Sequence, residues 1–101
     1  MHRMLLAAFF VGSVALAGPA QAAGDAAAGQ AKAASCATCH GPNGAGTPMA
    51  PKLAGAAPAA FVQQLQDYAS GKRDNAMMKS TAAGLSAADM ANLAAYYASV
   101  K

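Results

Sequence analysis

The chain is 101 residues long and carries seven Lys and Arg against four Asp and Glu, a formal net charge of +3. This length allows one domain at most. Charges so sparse and scattered exclude the dense basic stripe that a nucleic-acid surface requires, so no nucleic-acid partner is expected.

Met1-His2-Arg3 supplies a positive start, and residues 4–17 (MLLAAFFVGSVALA) form an unbroken run of 14 apolar or small residues. Gly18-Pro19 breaks the run, and Ala20-Gln21-Ala22 has the small-x-small form that a signal peptidase accepts. Residues 1–22 therefore predict a cleaved secretory signal peptide and a bacterial periplasmic location. A bilayer-spanning helix needs about 20 apolar residues, so this shorter run predicts no stable membrane insertion after cleavage.

Residues 23–101 form the expected mature domain of 79 residues, of which 25 are Ala and only 14 are Val, Leu, Met, Phe or Tyr. A chain below roughly 80 residues seldom holds itself together on its own core. A bridge between the two Cys, three positions apart, would close too small a loop to contribute much. The composition asks for a cofactor.

Asp25 is a plausible N-cap for a helix running from about Ala26 into Ser35-Cys36. Gly29 costs that helix about 1 kcal/mol against Ala, which points to another helix crossing closely there, with Tyr96 and Tyr97 as bulky partners. Residues 41–55 (GPNGAGTPMAPKLAG) are rich in Gly and Pro and predict a long irregular loop wrapping one edge of a ligand. From Pro58 to about Ser70 the pattern is helical: Phe61, Leu65 and Tyr68 recur at i, i+4, i+7 with Val62 alongside, and Gly71 is a stop. Residues 72–75 are a polar connection, and Met77-Met78 leads into a short segment ending at Gly84. Ser86 and Asp89 have the spacing of a capping box, with Asp replacing the usual Glu. The last helix follows, with Met90, Leu93, Ala94 and Tyr97 on one stripe and Tyr96 beside it. No β-pattern or internal repeat is present, so the expected fold is all-α, with three to four short helices.

Cys36-Ala37-Thr38-Cys39-His40 is a C-x-x-C-H sequence, the signature of c-type haem attachment. Two thiols on one helical turn can each add to a vinyl group on the same porphyrin edge, and the next residue places an imidazole below the iron. The motif thus predicts one covalent haem c held by Cys36 and Cys39, with His40 as an iron ligand. A thioredoxin-like redox pair would need a βαβ context that is absent. A zinc site would need a fourth ligand, and the only other His is His2, inside the leader. A structural disulfide would close almost no loop.

With no second His in the mature chain, the other iron ligand falls among Met49, Met77, Met78 and Met90. Met90 fits the apolar stripe of the last helix and is assigned to packing. Met49 lies only nine residues past His40 and would have to reach around the porphyrin. Met77 and Met78, beyond one helix, have ample chain to return over the opposite face. Spacing leaves the choice between them open.

The full mature length resembles the small class I cytochromes c, closest to the bacterial cytochrome c553 type and to single halves of the dihaem cytochromes c4. The resemblance runs through Gly24-Asp25, Gly29, Cys36-Ala37-Thr38-Cys39-His40-Gly41, Pro51-Lys52-Leu53-Ala54-Gly55, Gln64-Leu65-Gln66-Asp67-Tyr68, Met78, Leu85-Ser86, Asp89-Met90 and Leu93-Ala94-Ala95-Tyr96-Tyr97. In that family the methionine seven before the Leu-Ser pair binds iron, which implies Met78 over Met77. A second methionine is often found three residues later, where this chain has Thr81. The resemblance also implies that the Pro51 carbonyl accepts the proton on the far nitrogen of His40; from the residues alone, Pro51 could equally be a turn residue, and Pro48 or Pro42 could do the same job.

A His/Met-ligated iron has no open position, which favours a one-electron carrier over an enzyme. Such ligation is associated with a raised reduction potential, and an apolar surround of Leu53, Phe61, Leu65, Met90 and Leu93 would raise it further. The expected partners are redox proteins that dock transiently on a monomer, through an apolar patch near Ala37-Thr38 and the Gly-rich segment after His40. Lys72, Arg73 and Lys79 either ring that patch and steer acidic partners or are solvated charges. The competing reading is a haem enzyme or small-ligand sensor with a labile Met.

Overall fold

The computed structural model describes residues 24–101. The expected signal peptide, residues 1–22, lies outside them. The described residues form five α-helices in chain order: α1 (Ala26–Lys32), α2 (Ala34–His40), α3 (Pro58–Ser70), α4 (Ala76–Ala83) and α5 (Ala87–Ser99), with a 3₁₀ turn at Pro42–Gly44. Among the described residues there is no strand, only an isolated bridge between Thr47 and Ala50.

The all-α expectation holds, with one helix more than the three to four expected, because the first helix steps at Ala33. There the carbonyl of Ala33 accepts from the N–H groups of both Cys36 (2.9 Å) and Ala37 (3.0 Å), and ψ opens to −10°. Asp25 caps α1 through its side chain, accepting from the N–H groups of Ala27 and Ala28. Ser86 and Asp89 form the reciprocal capping box on α5, at 3.0 Å each way. Gly71 ends α3 in the left-handed region (φ 82°), where a Cβ would be strained.

The first and last helices cross at Gly29. A Cβ built there would collide with the Asn92 carbonyl and lie 2.9 Å from Tyr96 Cβ, so the crossing requires a residue without a side chain. Two polar contacts flank it: the Asp25 N–H donates to Asn92 Oδ1 at 2.8 Å, and Lys32 pairs with Asp89 at 3.6 Å. Beneath the crossing lies the core, in which Met90, Leu93, Ala94 and Tyr97 of α5 are buried with Phe61 and Leu65 of α3. The Tyr97 ring sits 5.5 Å from Phe61 and 5.0 Å from Tyr96, centroid to centroid. Burial pushes the Tyr97 hydroxyl well above the usual tyrosine range, with the neighbouring Cys36 thiol adding to it, so the ring stays neutral.

The Gly- and Pro-rich segment between the 3₁₀ turn and α3 is irregular yet tightly anchored. The Gly44 carbonyl accepts from the N–H groups of Leu53 (2.8 Å) and Ala54 (3.0 Å), and Gly55 N–H donates to the Tyr97 carbonyl at 2.8 Å. Thr47 Oγ1 donates to the Cys39 carbonyl at 2.5 Å, and Gly46 N–H to that of His40 at 2.8 Å. The segment is therefore tied to both α2 and α5, which fixes it as one wall of the site.

Candidate functional site

Cys36, Cys39 and His40 fall at i, i+3 and i+4 of α2, a spacing that puts all three on one helical face. All three line a cavity of about 260 Å³. Side chains from α3 and α5 (Phe61, Leu65 and Leu93), with Leu53 from the loop, give it an apolar lining. Met77, Met78 and Thr81 of α4 supply another wall, and Met49 to Pro51 a further edge. Native interiors seldom leave voids larger than a water molecule. An apolar hollow of this size in so small a domain implies an occupant.

His40 is buried, and its Nδ1–H donates to the carbonyl of Pro51 at 2.7 Å. A carbonyl can only accept, so Nδ1 carries a proton, and in the neutral ring this leaves the lone pair on Nε2. That is the tautomer a metal-binding imidazole needs, oriented by the hydrogen bond at its other nitrogen. The five anchoring bonds of the loop hold the Pro51 carbonyl in place. Pro42 instead opens the 3₁₀ turn, and Pro48 does not line the cavity.

Both thiols are free and half-buried. Among the described residues no three His, Cys, Asp or Glu side chains converge to hold an ion by themselves. Two thiols and one imidazole are one ligand short of a closed tetrahedral zinc site; they fit a flat, apolar macrocycle with two reactive edge groups and a metal at its centre. Two sulfurs at one end of an apolar slot, with an imidazole lone pair beside them, match haem attached through its vinyl groups.

The methionines separate by burial. Met49 is 76% exposed and Met77 70% exposed, whereas Met78 is half-buried against the core, and all three border the cavity. Met90 is buried in the core but does not line the cavity, contrary to its expected place in the apolar surround. Leu53, Phe61, Leu65 and Leu93 do line it. Asn75, read from sequence as part of a polar connection, both borders the cavity and caps α4, its Oδ1 accepting from Met78 N–H at 3.0 Å. Asn is a favoured N-cap residue, but Met78 stands where the Glu or Gln of a capping box would mark a helix start, so the signal was weak.

Lys72, Arg73 and Lys79 are all exposed. The Arg73 guanidinium lies over the Tyr68 ring at 5.0 Å from its centroid, and Tyr68 borders the cavity. Lys79 reaches toward Gly71, so the three cations gather at the junction of α3 and α4.

Residues 26–101 match the cytochrome c family model. The chain is 44% identical to cytochrome c4 of Pseudomonas aeruginosa over 102 residues, covering 100% of this chain and 50% of that protein. It is 42% identical to the thiosulfate dehydrogenase electron acceptor of Thiomonas intermedia over 101 residues, covering 98% of this chain and 45% of that one. The solved structure of Acidithiobacillus ferrooxidans cytochrome c4 superposes with a TM-score of 0.71 at 32% identity, covering 74% of this chain and 49% of that one. The chain thus spans about half the length of these relatives. Its helices and its C-x-x-C-H cavity place it, with them, among the class I folds: it belongs to the cytochrome c family, the proteins that carry covalent haem c.

Proposed function

We propose that the chain is an exported one-electron carrier, with Cys36 and Cys39 as the haem thioethers and His40 and Met78 as the axial iron ligands. When bound, the haem supplies the ferric–ferrous couple. The chain's own residues do the rest. His40 offers Nε2 because Pro51 holds Nδ1–H, and of the three methionines bordering the cavity only Met78 packs against the core. The apolar lining excludes water, which disfavours the extra positive charge of the ferric state and raises the potential, so a positive midpoint is expected. The observation that carries this reading is the 2.7 Å His40–Pro51 bond on a face shared with both thiols.

If His40 and Met78 both held the iron, no position would be left for a substrate, which favours a carrier over an enzyme or a small-ligand sensor. Docking to partners is weak and fast, as electron-transfer encounters are. Met49 and Met77, exposed beside the cavity, extend the apolar docking patch, and the cluster of Lys72, Arg73 and Lys79 biases it toward acidic partners. One relative's role as electron acceptor of a thiosulfate dehydrogenase makes a sulfur-oxidising enzyme a specific candidate donor. Export rests on residues 1–22, with cleavage after Ala22 leaving residues 23–101 in the periplasm as a monohaem, monomeric domain.

The test is spectroscopic. Met78→Ala should abolish the weak far-red charge-transfer band of an iron–thioether bond and lower the midpoint potential. Met77→Ala should leave both in place. A reversed outcome reassigns the ligand, and a high-spin wild-type ferric spectrum favours the sensor or enzyme instead.

A further inference from the structure

Helix α4 is two turns long and shallowly seated. Only Ala82 is buried and Met78 half-buried; its other residues are exposed, and it packs on α3. Helices this short do not persist alone in water, so α4 depends on its packing and on its end hydrogen bonds. At its C-terminal end Gly84 keeps a right-handed backbone (φ −83°), without the left-handed cap that ends α3.

Its N-terminal end is different. Asn75 is extended (φ −164°, ψ 112°), its Oδ1 accepts from Met78 N–H at 3.0 Å, and its carbonyl accepts from Lys79 N–H at 2.8 Å. The single side-chain bond that pins the first turn of α4 is therefore made to the backbone of the residue proposed as iron ligand. Asn75 also borders the cavity, so the cap and the thioether share one wall.

We propose that Asn75 is a positioning residue for Met78, holding the first turn of α4 closed and thereby setting how readily the thioether leaves the iron. This rests on the reading that Met78 is the ligand. Ser86 provides the internal contrast: it caps α5 with a bond of the same length, yet it does not border the cavity.

Removing an N-cap acceptor should make opening of that turn about fivefold more frequent. A competitor that binds only when Met78 is displaced then binds about fivefold more tightly, because its apparent affinity scales with the open fraction. The experiment titrates imidazole into the ferric holoprotein and follows loss of the iron–thioether band, alongside global thermal unfolding. Asn75→Ala should strengthen apparent imidazole affinity about fivefold, and Asn75→Ser, which restores a capping oxygen, should return it to wild type. Ser86→Ala should lower the unfolding midpoint while leaving imidazole affinity unchanged. If Asn75→Ala binds imidazole like wild type, or if Ser86→Ala shifts affinity equally, the positioning role is overturned. Met78→Ala separates the two ideas: if it keeps the band, the ligand reading fails and the inference with it, whereas loss of the band with an unresponsive Asn75→Ala sinks the inference alone.

Discussion

Gly29→Ala sets helix propensity against packing, and the structure decides the winner. An interior Gly-to-Ala change gains about 1 kcal/mol of helix propensity. Here the added methyl meets the Asn92 carbonyl, which is backbone and cannot rotate aside, and Tyr96 Cβ at 2.9 Å. Forcing extra volume into a packed contact costs about 1–3 kcal/mol, and a rigid obstacle puts this site at or above the upper end. The net is a destabilisation of about 2 kcal/mol, which for a domain of this size lowers the thermal midpoint by roughly 10 °C. Because α1 runs through Ala33 into α2, pushing α1 off α5 also loosens the helix carrying Cys36, Cys39 and His40. Gly84→Ala is the control: its nearest neighbour would be Thr81 O at 3.6 Å and its φ is ordinary, so a gain of about 0.5 kcal/mol is expected. Far-ultraviolet circular dichroism melts of the two holo-variants make the comparison. Equal midpoints for the two would refute the close crossing.

Further outcomes follow from the same geometry. Leu93→Ala, which empties a fully buried side chain at the cavity wall, should cost about 2–5 kcal/mol in denaturant unfolding, and a cost under 1 kcal/mol would mean the site is not packed as described. Asp89 has its carboxyl held below its ordinary value of 3.8, chiefly by the Ser86 backbone N–H. A depressed pKa contributes stability that is complete above the unfolded value and lost as pH falls through the folded one. Asp89→Asn should therefore lower stability at pH 7 and flatten its acid dependence below about pH 4; an unchanged acid limb would contradict the capping box. Replacing Cys36 and Cys39 together with Ala should leave a chain that yields no cooperative melt, since the cavity then lacks its attached occupant.

Much of this was legible in the residues because the signals were local. Asp25, Gly71 and the Ser86–Asp89 pair announce their caps by residue type and spacing, and the stripe of Met90, Leu93, Ala94 and Tyr97 is the buried face of α5. Gly29 was readable as a crossing because a glycine inside an Ala-rich helix is otherwise a cost. What was hidden depended on three dimensions. Met77 and Met78 are neighbours in sequence, and only the seating of α4 on α3 buries one and exposes the other. Met90 lies on the buried stripe with Leu93, yet only Leu93 reaches the cavity, because periodicity marks burial without saying which neighbour is met. Ala33 carries no signature for the step between α1 and α2. Asn75 was missed because its capping role appears only once the short helix behind it is known to form.

A haem bonded to the chain through Cys36 and Cys39 would stay with the polypeptide on denaturation. The direct measurement is extraction of the purified native protein with acidified acetone. The red colour should remain with the precipitated polypeptide; colour passing into the acetone, or a colourless preparation from the native source, would show that no thioether bonds hold a haem here.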